Sequence, residues 1–490
     1  LAVAEVPLRS ASPSAAPVAK PKPKRNPLNV RIDDVWYDLS GWRNAHPSGT
    51  HWIDAYRDRD ATEAHSTHPT AHTRTPLLPT TRRTPHSSTQ VMRAFHSDTA
   101  MKMIDRLPKS KQPPTGVEPP TACTYAFREL RRRLEEEGWF QPRPRLEARN
   151  LAWWVGSLSV GVYMSRFAGR LATLGSVFFL AVANTLTGWL GHDYVHGRSR
   201  WCTAMRPFGE LAAGLSTSWW SNKHNMHHAL TNEVGYDEDI ALEPFVFLWR
   251  PDPSKDSPSR KVQHWSWPIS FSSLFFYWRI DSLRYTWKAK KWGEFGRLLA
   301  HWAFFGCLVP VRPRPRHHLP RAHEEITRAP SYTCKCYASV RPSPDQTNCA
   351  RAQVKHLLLS IWLSGFMTAT IVTATHQSEE IFYGDSLRKY DFVEAQFRST
   401  RDARIVTPFS GVLWGGMQWQ LEHHLFPTIP RYRYPELSKV VAAFAAEHQL
   451  EYRVTDEWKL LKQNIDLLER LAKAEPQPGN PDSTPVFKQL

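Results

Sequence analysis

Residues 171–196 read LATLGSVFFLAVANTLTGWLGHDYVH. Twenty-one uncharged, mostly apolar residues come first, the length a helix needs to cross the hydrocarbon core of a bilayer. The run then ends in two histidines four positions apart, His192 and His196. Two further blocks repeat this association of histidine with apolar sequence. HNMHH carries His224, His227 and His228, and QLEHH carries Gln420, His423 and His424. Residues three and four apart on a helix share a face, so each block can aim its side chains at one point. Imidazole is a strong ligand for iron, zinc and copper. A single HxxxH pair is more often a packed or surface pair than a metal site. Three blocks, each beside a long apolar run, are hard to assemble by chance, and their conjunction points to one shared metal centre.

Working outward, LAWWVGSLSVGVYMSRFAGR (151–170) forms a second candidate span, with Arg166 and Arg170 at the turn of a hairpin. Trp153, Trp154 and Trp189 suit membrane interfaces, and Arg131, Arg132, Arg133, Arg143, Arg145 and Arg149 lie just upstream. The positive-inside rule places that upstream side in the cytosol, so the hairpin returns His192 to the cytosolic face. A third span begins at 293–311 and a fourth covers about 354–375, ending at His376, an eighth candidate ligand. WSWPISFSSLFFYWRIDSL (265–283) reads as an amphipathic or short buried segment, able to lie along the membrane surface. The expected fold is therefore mostly α: a four-span helical bundle capped on its cytosolic side by the histidine blocks.

Composition sets bounds on the rest. The net charge is +17, with a pI near 9.7 and a mean hydropathy of −0.48. The basic residues are scattered among prolines and flank apolar runs. No recognised nucleic-acid-binding motif accompanies them, so a nucleic-acid partner is not expected. Six cysteines in 490 residues do not make a disulfide framework. Residues 1–29 are expected to be a disordered leader, 109–123 a Pro-rich linker and 475–490 a disordered tail. The helix expected over 124–138 has Thr124 as N-cap and Gly138 as stop, with RRRLEEE as a solvated face. Two amphipathic helices are expected at 434–448 and 456–474.

The three blocks resemble the histidine boxes of the membrane fatty-acyl desaturases. The third, QWQLEHHLFPTIPR, carries Gln420 where most members have a histidine. That resembles the front-end branch, whose members usually carry a fused cytochrome b5 domain. Residues 30–108 are similar to such a small α+β haem domain, with HPSG at His46–Gly49 and VMRAFHS ending at His96–Ser97. His46 and His96 are its expected axial ligands. They are 50 positions apart, and 65–90, which has almost no apolar periodicity, is expected to be inserted sequence. Residues 312–352, rich in Arg, Pro and Cys, are expected to be a second insertion within the desaturase domain, 124–474.

The resemblance implies a di-iron site using O2, fed with electrons from NADH through cytochrome b5 reductase and haem b. It implies His192, His196, His224, His227, His228, His376, His423 and His424 as metal ligands. Gln420 is left between weak ligation, holding a metal-bound water and hydrogen bonding to a ligand, and Asp193 and Glu422 are expected to orient ligands and not to bind metal. Asn225 and His301 are expected to be structural. Trp219, Trp220, Phe275 and Trp419 are candidates to line an acyl channel. The implied function is desaturation of a polyunsaturated acyl chain on the carboxyl side of an existing double bond. The implied setting is a multi-pass protein of the endoplasmic reticulum with its sites facing the cytosol, with a plastid as the alternative. A sphingolipid long-chain-base desaturase, a lipid hydroxylase of the same di-iron type and an inactive remnant stay open beside it.

Overall fold

The computed structural model describes residues 27–61, 103–308 and 344–485, apart from short gaps at 33–34, 47–48, 105, 118, 168 and 384–388. The expected insertion 65–90, the expected ligand His96 and residues 312–343 of the second expected insertion lie outside the described residues.

The chain opens with a small sheet. β1 (Asn29–Ile32) pairs antiparallel with β2 (Val35–Asp38) and parallel with β3 (Arg59–Asp60), giving the order β2-β1-β3. Val30 and Ile32 alternate with Arg31, so one face is apolar and buried. α1 (Thr50–Ala55) covers that face with Ile53 and Ala55. Gly49 at its N-cap has φ +104, a conformation L side chains rarely adopt, so the last residue of HPSG must be glycine.

α2 (Ala122–Glu136) buries Phe127, Leu130 and Leu134, one stripe at helical spacing. Its N-cap is Thr121, whose hydroxyl accepts from Thr124 N at 3.1 Å. Thr124, the expected cap, is inside the helix and its hydroxyl bonds Asp391. The RRRLEEE face is only partly solvated. Arg132 pairs with Glu129 and Glu136 at the surface, but Arg131 turns inward beneath the Phe140 ring.

α3 (Pro144–Met164) and α4 (Arg170–His196) form the expected hairpin. Gly161 allows the close approach: a Cβ there would overlap Leu180, and Ser176 donates to Gly161 O at 2.8 Å. α5 (Arg200–Ala213) and α6 (Thr217–Ala229) follow. The expected single segment 265–283 is instead two helices, α7 (Pro258–Ser272) and α8 (Leu274–Lys288), broken at Ser273. Helix α10 (Pro344–Ala374), which comes after α9 (Trp292–Leu308), packs against the break. Gly365 makes this possible, because any Cβ there would overlap Ser272 O. Residues 344–352, expected to be irregular inserted sequence, are the first turns of α10. The reason is local: nothing after Pro344 breaks the helix, and Pro is well tolerated at a helix start.

Helices thus occupy all four expected spans. Among the described residues, two are long and apolar enough to cross a membrane, Arg170–His196 and Gln353–Ala374. α3 begins with the polar run PRLEARN, and α9 has 17 described residues. Large apolar side chains face outward on several helices: Leu171 on α4, Trp265 and Ile269 on α7, Tyr277 and Ile280 on α8, Trp362 on α10.

The C-terminal part is made of α11 (Phe392–Ser399), α12 (Pro408–Trp414), α13 (Gln420–Leu425), α14 (Tyr434–Glu447) and α15 (Glu457–Lys473). β4 (Asp402–Arg404) pairs with β5 (Val454–Asp456) in parallel. Within the expected tail, residues 475–485 are ordered and not disordered. Residues 475–485 are hydrogen-bonded along the 243–255 loop, with Gln477 N donating to Pro251 O at 2.9 Å and Trp249 Nε1 to Pro481 O at 2.9 Å. A polar segment still orders when its backbone groups find fixed partners.

Candidate metal centre

Four segments deliver imidazoles to one place. The last turn of α4 brings His192 and His196. The last turns of α6 bring His224, His227 and His228, and α13 brings His423 and His424. His376 lies in the turn just after α10. None of the eight is more than 7 % exposed.

They form two adjoining groups. His192, His196, His224, His228 and His423 place one nitrogen each within 4.8 Å of one another, and so do His227, His376 and His424. Ring centroids of His192 and His423 are 4.5 Å apart, those of His376 and His424 4.7 Å. The two groups meet where His228 stacks on His424 at 4.3 Å.

The nitrogens are sorted by their partners. His227 Nδ1 is 2.8 Å from Asp237 Oδ2, and His376 Nδ1 is 3.0 Å from Ser399 O. His423 Nδ1 is 3.0 Å from the Tyr434 hydroxyl, and His424 Nδ1 is 3.0 Å from Gln396 Oε1. These contacts leave Nε2 for the centre, the usual way outer partners fix a metal-ligating tautomer. On His196, His423 and His424, Nε2 is buried with no protein partner. The Nε2 atoms of His192 and His228 crowd that of His224 at 2.9 and 3.1 Å. Buried, orphaned and convergent imidazole nitrogens are the donor set a metal ion satisfies, so these residues fit iron. Burial, reinforced by neighbouring imidazoles, holds His224, His228, His423 and His424 well below the ordinary imidazole range. Burial pushes His376 down to about 3. The neutral ring is the form that ligates.

Gln420 Nε2 lies 3.1 Å from His376 Nε2, at the smaller group. Two acids are not where a ligand-orienting role needs them. Asp193 accepts from Arg431 Nε at 2.6 Å, which ties the end of α4 to the segment after α13, and it stays 3.8 Å from His192 Nδ1. Glu422 turns away from the boxes, because α13 points position 422 to the opposite side from 423 and 424. It meets Asp402 and the Tyr452 hydroxyl. Both carboxyls are buried, and burial raises them, Glu422 well above the usual range.

Sequence reading missed the residues that hold the rings: Asp237, Gln396, Ser399 and Tyr434. Only Asp237 left a signal, as an acid in the YDED run shortly after HNMHH. His301 is structural, donating to Leu211 O and facing Arg279.

A cavity of about 800 Å³ opens from the imidazoles, with His192, His224, His227, His376 and Gln420 in its wall. Trp220 and Phe275 line it as expected. Trp219 does not, because its indole is drawn to Asp281 at 2.8 Å, and Trp419 packs instead beside the α2–α14 core.

The N-terminal sheet module docks on α6. Met226, Ala229 and Leu230 share its core. Met226, between the histidines of HNMHH, thus faces away from the imidazole cluster. Trp52 Nε1 donates to Asn222 Oδ1 at 3.1 Å, and Arg59 grips Glu233 through two bonds of 2.7 and 3.1 Å. His46 Nδ1 lies 3.2 Å from Gly49 O.

The family model for fatty acid desaturases matches residues 168–313 and 351–456, just over half of the chain. Full-length relatives include an acyl-lipid 8-desaturase of Rebecca salina, 27% identical over 90% of this chain and 91% of that protein. A delta(6)-fatty-acid desaturase of Caenorhabditis elegans is 26% identical over 91% and 96%. A delta(8)-fatty-acid desaturase of Euglena gracilis is 26% identical over 88% and 92%.

Proposed function

Because this chain belongs to the fatty acid desaturase family, we propose that it inserts a double bond into a polyunsaturated acyl chain on the carboxyl side of an existing one. One observation carries the reading: eight buried imidazoles in two adjoining groups, four of them on the wall of a largely apolar cavity. The names of the delta-6 and delta-8 relatives support the position of the new bond.

His192, His196, His224, His228 and His423 would hold one iron; His227, His376 and His424, with Gln420 beside them, would hold the other. Bound iron supplies the O2 chemistry needed to take two hydrogens from an unactivated CH2–CH2 pair, which no side chain can do. The protein's part is to seat the acyl chain against the imidazoles and keep water out. Asp237, Ser399, Tyr434 and Gln396 hold the rings in the ligating tautomer. We assign 30–108 as a haem b domain, with His46 and His96 as axial ligands, relaying NADH electrons from a reductase to the irons. Its seat on α6, the helix of the second histidine block, supports that assignment.

We also read α3, α4, α9 and α10 as a four-span bundle with the centre on the cytosolic face, in the endoplasmic reticulum. The outward apolar side chains of these helices support it, since such surface is costly in water. The break in the family match between 313 and 351 supports an insertion there, ending by Pro344, where α10 begins. The acyl carrier is a membrane lipid. The charged residues of the cavity wall are Glu210, Glu238, Asp239 and Glu243 against Arg206 and Lys223. Arg206 is engaged with carbonyls at the end of α4, and Lys223 pairs with Asp239. This acidic balance suits a lipid ester better than phosphate-rich coenzyme A. Two relatives are likewise named acyl-lipid desaturases.

The test is fatty-acid profiling of yeast expressing the chain and fed several polyunsaturated acids, with iron counted on the purified protein. The expected result is a new double bond on the carboxyl side of those supplied and about two irons per chain. Hydroxylated products, or desaturated long-chain bases alone, would overturn the reading.

A further inference from the structure

We infer that the C-terminal segment 475–485 forms part of the acyl site and helps decide which acyl substrate reaches the metal centre. This rests on the desaturase reading above. The segment leaves α15 from a fixed point, because the buried Arg260 donates to both Leu471 O and Ala474 O. It then runs along the 243–255 loop with ties on both sides. Gln477 N donates to Pro251 O at 2.9 Å, Gly479 N to Asp252 at 2.8 Å, Asn480 Nδ2 to Arg250 O at 2.7 Å and Trp249 Nε1 to Pro481 O at 2.9 Å. Lys255 pairs with Asp482 at 3.4 Å. So many directional bonds over so few residues are not incidental contact of a solvated tail.

The segment ends in the cavity. Ser483, Thr484 and Pro485 belong to its wall beside Glu243 and Phe245, while the imidazoles line another part of the same cavity. Ser483 N donates to Glu243 Oε2 at 3.2 Å, which leaves Glu243 Oε1 buried with no protein partner. Here a carboxyl and two hydroxyl side chains share the wall with Phe245, Val246, Ile240 and Phe271. An acyl substrate is an apolar chain with one polar end, and a cavity that is apolar with a local polar patch is complementary to it. A wall that fixes where the substrate stops also fixes which carbons lie at the imidazoles, so these residues act on selection and not on the chemical step.

The experiment compares the full chain with a form ending at Gly479 and with Thr484→Trp, which adds bulk at the cavity wall and touches none of the bonds named above. Each is supplied with pairs of polyunsaturated acids of different chain length, and product ratio, position of the new bond and iron per chain are measured. The expected result is a shift of about tenfold or more in the product ratio, or a displaced double bond, with iron per chain unchanged. Unchanged ratios and positions in both variants would overturn the proposal. If the shortened chain loses iron, Thr484→Trp decides alone. A wild-type chain that desaturates nothing would instead refute the reading on which the proposal rests.

Discussion

Asp237 holds no nitrogen of the cluster's interior, yet the smaller imidazole group depends on it. It is fully buried, accepts from His227 Nδ1, and also receives the backbone N–H of Asn232 at 2.8 Å. Asn232 in turn donates to His376 O at 3.1 Å. One carboxylate therefore fixes the tautomer of His227 and, through Asn232, the turn that carries His376. Asp237→Ala removes the shared acceptor Oδ2 and leaves two buried donors, His227 Nδ1 and Asn232 N, without it, and outer partners of this kind are worth about 10–100-fold in metal affinity. Iron titration of the purified variant should show one of two irons weakened by that factor and the other retained; equal retention of both would count against this role. The seven imidazoles of the three blocks were legible because helical spacing alone puts each block on one face, and His376 because it ends an apolar run. Tyr434, Gln396 and Ser399 were not, since each joins its ring only after separate elements pack together: α14 on α13, α11 on α13, and α11 on the turn after α10. Glu422 misled for a related reason: adjacency in sequence to two ligands says nothing about direction on a helix.

At the scale of elements, the long apolar runs located the helices, and backbone fit decided where they stop. Pro268 lies inside the 265–283 segment without ending α7, and the division at Ser273 came only with Gly365 of α10 lying against it. The ordered tail was illegible because its partners are the carbonyls and acids of a loop more than 200 residues away. That tail should respond to pH through Glu243. Burial raises the Glu243 carboxyl above its ordinary 4.5, against the lowering effect of the Ser483 bond. Between 4.5 and its folded value, the folded protein binds a proton that the unfolded chain has released. Stability is thus fully present below 4.5 and declines as pH rises through the folded value. Protease cleavage within 475–485 should accordingly increase with pH across that window, and Glu243→Gln should flatten the dependence. An unchanged slope in the variant would show that Glu243 does not govern the tail.

The whole molecule joins a small sheet module to a helical body through the element that carries the second histidine block. Met226 and Leu230 complete the module's core while His224, His227 and His228 line the imidazole cluster, so α6 has one face in each. This placement was not legible in the sequence, where Met226 reads only as a spacer among histidines. It gives the proposed haem domain a fixed seat, so electrons arriving there do not wait on an encounter between separate bodies. The Arg59–Glu233 fork is a doubly bonded tie across that seam, with Glu233 almost fully buried. Arg59→Ala leaves the carboxylate without that partner and should weaken the docking by roughly 1–3 kcal/mol. Turnover driven by NADH and a reductase should then fall by about tenfold, while turnover driven by dithionite, which bypasses the seam, should keep its wild-type rate and the iron content should not change. A parallel loss under both reductants would mean that Arg59 supports the metal centre itself, and that the module's seat on α6 is structural and not a route for electrons.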